Sequence, residues 1–153
     1  MMTVQVPNLI ASALLGAASG ILSLVGIATV LDATSSSQRP DFARSPWLRR
    51  AIVTSAAGEM FANAFVASLP SRSSPAPLAG RIAFGSGSAA LFASSVRRQV
   101  VIASVVGGAT AAISAKAAYE TRAVLMKRIP DPVVGLAENA VAAGLAWTAT
   151  SLQ

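Results

Sequence analysis

Residues Pro7 to Leu31 read PNLIASALLGAASGILSLVGIATVL, and no charged side chain interrupts them. The run exceeds the roughly 20 residues that an α-helix needs to cross the hydrocarbon core of a bilayer. No Lys or Arg precedes it, and it is too long for the apolar region of a cleavable leader, so it reads as a retained helix over about 8–31. The remainder of the chain has the same character. Of its 153 residues 54% are apolar and only 12% charged, about half the charged fraction of an ordinary soluble domain. A soluble alanine-rich bundle would carry a polar stripe along each outer face. The stretches 51–57 and 100–115 instead offer Ser and Thr in place of charge.

Working outward from that run, four further apolar segments follow, at about 46–69, 78–96, 100–128 and 132–151. Ser45-Pro46-Trp47 has the form of a helix start, with Ser45 able to cap and Pro46 at the first helical position. The prolines and serines from Pro70 to Pro77 end the second segment. The third, with Arg81, Gly85 and Gly87, is the weakest spanning candidate. Pro130-Asp131-Pro132 breaks the fourth, and Asp131 is placed to cap the last. The expected fold is all-α: a single membrane domain over 1–153, a polytopic transmembrane bundle of four or five helices. Orientation should follow the Lys and Arg asymmetry between loops, but the tally is six against six. Five crossings would put the termini on opposite sides.

The net charge of +6 does not indicate nucleic acid. Arg49-Arg50, Arg97-Arg98 and Lys127-Arg128 are spaced as pairs between apolar segments, where lipid phosphates would meet them. The chain has no His and no Cys, which removes His-based triads, Cys nucleophiles and ordinary zinc sites. Its six acidic residues are scattered, and Gly85-Ser86-Gly87 is not a dinucleotide fingerprint. We therefore expect no enzyme, no cofactor and no metal.

Chemistry would have to come from isolated polar residues at depth. Glu59 is the only charged residue between Ala51 and Leu69, Asn63 shares its helix face one turn on, and Glu138-Asn139 places a second acid and amide in the last segment. A carboxylate at membrane depth is costly and needs a partner. Glu59, Asn63, Arg81, Lys116, Glu138 and Asn139 are thus the candidates for an intramembrane polar site, with two readings. One is a pocket for a proton, cation or polar substrate. The other, preferred from the sequence, is an internal clamp in which Glu59 pairs with Arg81 or Lys116, or is kept neutral by burial and hydrogen-bonds to Asn139 or a backbone carbonyl. Lys116 also lies one turn before Glu120, and that pair reads as a solvated ion pair. Gly16 with Gly20, and Gly107 with Gly108, form smooth surfaces suited to close helix packing within the chain or between subunits.

Gly58-Glu59, the run Pro70-Ser71-Arg72-Ser73-Ser74-Pro75 with Leu78-Ala79-Gly80-Arg81, and Pro130 to Ala140 together resemble a bacterial integral membrane family, domain of unknown function 4126, over about residues 51–145. The resemblance implies a small helical protein of the bacterial plasma membrane and no particular reaction. Where that family carries an Asp-Lys pair after the first Glu and an acid after the second, this chain has Asn63-Ala64 and Asn139, which weakens a transport role argued by analogy. The expected function is assembly in the bilayer, as a homo-oligomer or with other membrane proteins. A small transporter or channel built around Glu59 and Glu138 is the alternative.

Overall fold

The computed structural model describes residues 6–66, 75–95 and 99–152. Among these the chain forms helices and no strand: α1 Val6–Ile21, α2 Val25–Ala33, α3 Pro46–Phe65, α4 Pro75–Ser95, α5 Val100–Leu125 and α6 Asp131–Ser151, with two short 3₁₀ turns, Ser36–Gln38 and Asp41–Arg44, between α2 and α3. The expected helical bundle is present. The expected ends of two segments near Pro70 and at Arg97-Arg98 lie outside the described residues.

The first segment departs from expectation. It is not one helix over 8–31 but a helical hairpin, with α1 of 16 residues, a turn at Leu22–Leu24 and a return arm α2 of 9 residues. A β-carbon placed on Gly26 would lie 3.1 Å from the Leu15 carbonyl and 2.5 Å from Ser19 Oγ. In a continuous helix, residues 15 and 26 would stand about 16 Å apart along the axis. The chain has therefore folded back on itself, with Gly26 packed against Ser19 and the Leu15 carbonyl.

α1 occupies the centre, packed against α4, α5 and α6, while α2 lies against α4 and α6. Its position follows from its composition: a helix apolar on all sides has no face for the exterior. Ala11, Leu15, Ala18 and Leu22 are all buried, as are Ser12 and Ser19. The hydroxyls are satisfied cheaply. Ser12 donates to the Asn8 carbonyl one turn back, and Ser19 Oγ lies 3.2 Å from Ser88 Oγ of α4.

The glycines expected to pack helices do so inside the chain. Gly16 faces Gly107 and Thr110, and Gly20 faces Ala111 and Ser114, so α1 and α5 run parallel with their backbones nearly touching. Ser114 Oγ donates across this seam to the Ala17 carbonyl at 3.0 Å. Gly85 of α4 meets Gly107 and Ala111, and Gly108 meets Ser86 and Ile82, so α4 runs antiparallel to α5. A β-carbon on Gly107 would sit 2.5 Å from the Gly85 carbonyl oxygen. Dispersion between close backbones holds such a seam, and any larger side chain forces the helices apart.

α3 is the outer helix, packed mainly on α6 with a smaller contact to α2. Only Ala56, Asn63 and Ala64 of its 20 residues are buried. Ser45 caps it as expected, accepting from the Leu48 N–H at 3.4 Å, with Pro46 at the start. Two other starts differ. Pro75 opens α4 three residues before the expected position because a first-turn proline forfeits no hydrogen bond. Asp131 begins α6 but makes no capping bond, because Arg122 takes its carboxylate.

On α5 the placement of large side chains is inverted relative to a water-soluble core. α5 buries Ala103, Gly107, Gly108, Ala111 and Ala115 and turns Val101, Val105 and Ile113 outward. It is also the one helix, among the described residues, long and apolar enough by itself to cross a membrane.

Candidate functional site

Two polar centres lie at the end of the bundle that holds the hairpin tip, and α3 contributes to both. The first forms at the tip. Where α1 stops and α2 begins, the backbone amides of Ser23 and Leu24 and the carbonyls of Gly20 and Ile21 need partners from elsewhere in the chain. Glu59 reaches from α3 so that Oε1 accepts from the Ser23 N–H at 2.7 Å and Oε2 from the Leu24 N–H at 2.9 Å. Arg81 reaches from α4, and its Nη1 donates to the Gly20 carbonyl at 2.8 Å and the Ile21 carbonyl at 2.6 Å. Each ion thus sits at the helix end whose dipole favours it, the anion at the start of α2 and the cation at the end of α1.

The second centre lies where α3 and α5 end and α6 begins. Arg122 of α5 donates through Nη1 to Glu138 Oε2 at 2.7 Å and to Asn63 Oδ1 at 2.9 Å. Its Nη2 donates to the Asn63 carbonyl at 3.0 Å and to Asp131 Oδ1 at 2.6 Å. Asn63 Nδ2 donates to Asn139 Oδ1 at 2.9 Å, and Asn139 Nδ2 in turn donates to the Met60 carbonyl at 2.8 Å. The Arg122 and Glu138 side chains are 15% and 13% exposed, so this pairing is made largely out of solvent. α3 approaches α6 closely here because Gly135 has no side chain. A β-carbon there would fall 2.5 Å from the Asn63 carbonyl oxygen.

The six candidate residues are therefore not one pocket. Glu59 and Arg81 belong to the hairpin tip, and Asn63, Glu138 and Asn139 to the Arg122 centre. The sequence rule that residues four apart share a face holds for Glu59 and Asn63, yet their side chains serve different neighbours. Lys116 belongs to neither. It lies 3.9 Å from Glu120 with both side chains more than half exposed, as its alternative reading as a solvated ion pair had it.

Arg122 and Asp131 escaped the sequence reading of the site. A signal existed: the buried stripe of α5 through Ala111, Ala115 and the half-buried Ala118 continues at helical spacing to Arg122, so this arginine lies on the inner face. The tip partners carried no signal, because they are backbone groups of Ser23 and Leu24.

Chemically, the arrangement holds charge and orients backbone. Among the described residues no group of three or more metal-ligating side chains occurs. Comparison with protein-family models, curated proteins and solved structures finds no match for this chain.

Proposed function

We propose that the chain is a multi-pass integral membrane protein in which α1–α2 is a re-entrant hairpin and its tip, held by Glu59 and Arg81, is a polar site that passes or couples a small ion. The observation that carries this is the pair of carboxylate bonds from Glu59 to the Ser23 and Leu24 amides. Non-helical backbone at membrane depth is tolerated where protein buries it or where it lines a conduction path. Interrupted helices whose ends meet charged groups recur at the binding sites of secondary transporters. The inverted surface supports the bilayer setting, with small residues inside and valines and isoleucines outside on α5. A bacterial plasma membrane and the kinship with domain of unknown function 4126 belong to the same proposal, as does the absence of catalysis.

The test is flux through purified protein reconstituted in vesicles. Glu59→Gln should abolish proton- or cation-dependent flux while leaving expression and native mass unchanged. Undiminished flux would remove Glu59 as the coupling group.

A second reading, assembly with itself or with other membrane proteins, is favoured by the outward aromatic residues of α3. Phe61 and Phe65 stand with ring centroids 5.0 Å apart, and both are exposed. The Gly16–Gly20 surface does not support it, since α5 already covers that surface. Native mass spectrometry in mild detergent decides the matter. A particle heavier than one chain that Phe61→Ala/Phe65→Ala disperses favours assembly, and a monomer excludes it.

A further inference from the structure

Away from the tip, α2 ends after nine residues, and its short length leaves a crevice between α2, α3 and α6. One cavity of about 590 Å³ is lined by Ala28, Thr29, Ala33, Val53, Trp147 and Thr150, among others. A second, of about 310 Å³, is lined by Pro46, Arg49, Arg50 and Thr54. Asp32 and Val53 line both, so the two are neighbouring parts of one crevice, mostly apolar at one end and basic at the other. Each falls within or near the volume range of small-molecule sites.

We propose that this crevice seats one anionic phospholipid, with an acyl chain along Ala28, Val53 and Trp147 and the phosphate at Arg49 and Arg50. The proposal rests on the membrane reading given above. Charge selects the headgroup. Arg49 pairs with Asp32, Arg50 makes no ion pair among the described residues, and Arg39 is anchored on the Leu31 and Thr34 carbonyls at the end of α2. Arg49 and Arg50 against the single carboxylate of Asp32 leave the basic end of the crevice with a net positive charge. Trp147 and Trp47 are 73% and 80% exposed, and they lie on the last turns of α6 and the first of α3, the depth at which tryptophans meet headgroups. Long cationic side chains at that level reach phosphates without leaving their apolar stems in water.

Trp147 supplies its own probe. The chain has two tryptophans, so a Trp47→Phe background leaves Trp147 alone to report. The protein is reconstituted in phosphatidylcholine vesicles containing increasing fractions of acyl-brominated phosphatidylglycerol, or of acyl-brominated phosphatidylcholine, and quenching is measured. Quenching by the anionic lipid should half-saturate at a mole fraction roughly fivefold lower than by the zwitterionic lipid, the preference one arginine near the headgroup confers. Arg50→Gln should bring the two curves together, and Val53→Phe, which fills the crevice where its two parts meet, should flatten the saturable component. Equal quenching by both lipids, or a preference untouched by both variants, overturns the lipid seat and leaves the membrane reading standing. Failure of the protein to float with vesicles, with no quenching by either lipid, overturns both.

Discussion

If Glu59 fastens the hairpin tip, Glu59→Gln should loosen Ser23 and Leu24 before anything else. The carboxylate accepts one N–H on each oxygen. Glutamine keeps one carbonyl oxygen, turns its NH₂ towards the other amide and carries no charge. One charge-assisted hydrogen bond is lost, about 1.5–3 kcal/mol, and the other is weakened to a neutral bond. The start of α2 also loses its favourable anion, worth about 0.3–1 kcal/mol. Local opening should therefore become easier by roughly 2–3 kcal/mol, and each 1.36 kcal/mol is a factor of ten. Hydrogen–deuterium exchange read by mass spectrometry on a peptide covering 22–26 should accelerate between about 30-fold and 150-fold. A peptide covering Gly135 to Asn139 should not change. Unaltered exchange at 22–26 would refute the claim that Glu59 holds the tip, and acceleration throughout the chain would show that Glu59 supports the whole fold instead.

Arg122→Met leaves Glu138 and Asp131 poorly solvated without their cation and should cost about 3–5 kcal/mol in reversible denaturant unfolding in micelles, while adding Asp131→Asn and Glu138→Gln should restore much of it. Gly20→Leu should reduce the yield of folded monomer rather than disperse an oligomer, as size-exclusion chromatography of a fluorescent fusion would show, because Ser114 and the Ala111 carbonyl occupy the space its side chain needs. Lys116→Ala should change stability by less than about 0.5 kcal/mol and leave flux intact, since its pairing with Glu120 is solvent-exposed. Reporter fusions should place both termini on one side of the membrane, because the hairpin returns the chain to the side from which α1 starts.

The sequence foretold the elements better than their arrangement. Pro46, Pro130 and Pro132 act locally, so the start of α3 and the break before α6 could be read from a few residues. The reversal at Leu22–Leu24 could not. That turn contains no proline or glycine, and its backbone groups are satisfied by Glu59 and Arg81, which lie more than 30 residues further along the chain. A window of apolar residues looks the same whether it continues straight or folds back. Glu59 was legible as an acid that must have a partner, but a main-chain partner has no sequence signature. Arg122 was half-legible, since its helical phase places it on the buried stripe of α5 while its neighbours Lys116 and Glu120 fall on another face.

The reversal also changes what the basic residues mean. A six-to-six tally treats every Lys and Arg as a loop charge, yet Arg81 binds the end of α1 and Arg122 is held among Asn63, Asp131 and Glu138. Charges spent on internal bonds are not available to lipid phosphates, so they do not weigh on orientation. Arg39, held on the Leu31 and Thr34 carbonyls, and Arg49, paired with Asp32, are spent on internal bonds in the same way near the start of α3. Internal bonds therefore take basic residues from both ends of the bundle, and the tally sets no orientation. Glu59 lies about 20 Å along α3 from Pro46, so the tip it holds lies far from the end that bears the crevice. α3 carries both Glu59 and Asn63 and buries little else. A movement of α3 away from α6 would therefore withdraw Glu59 from the tip and Asn63 from Arg122 together, while Arg81 stays on the Gly20 and Ile21 carbonyls and Arg122 on Asp131 and Glu138.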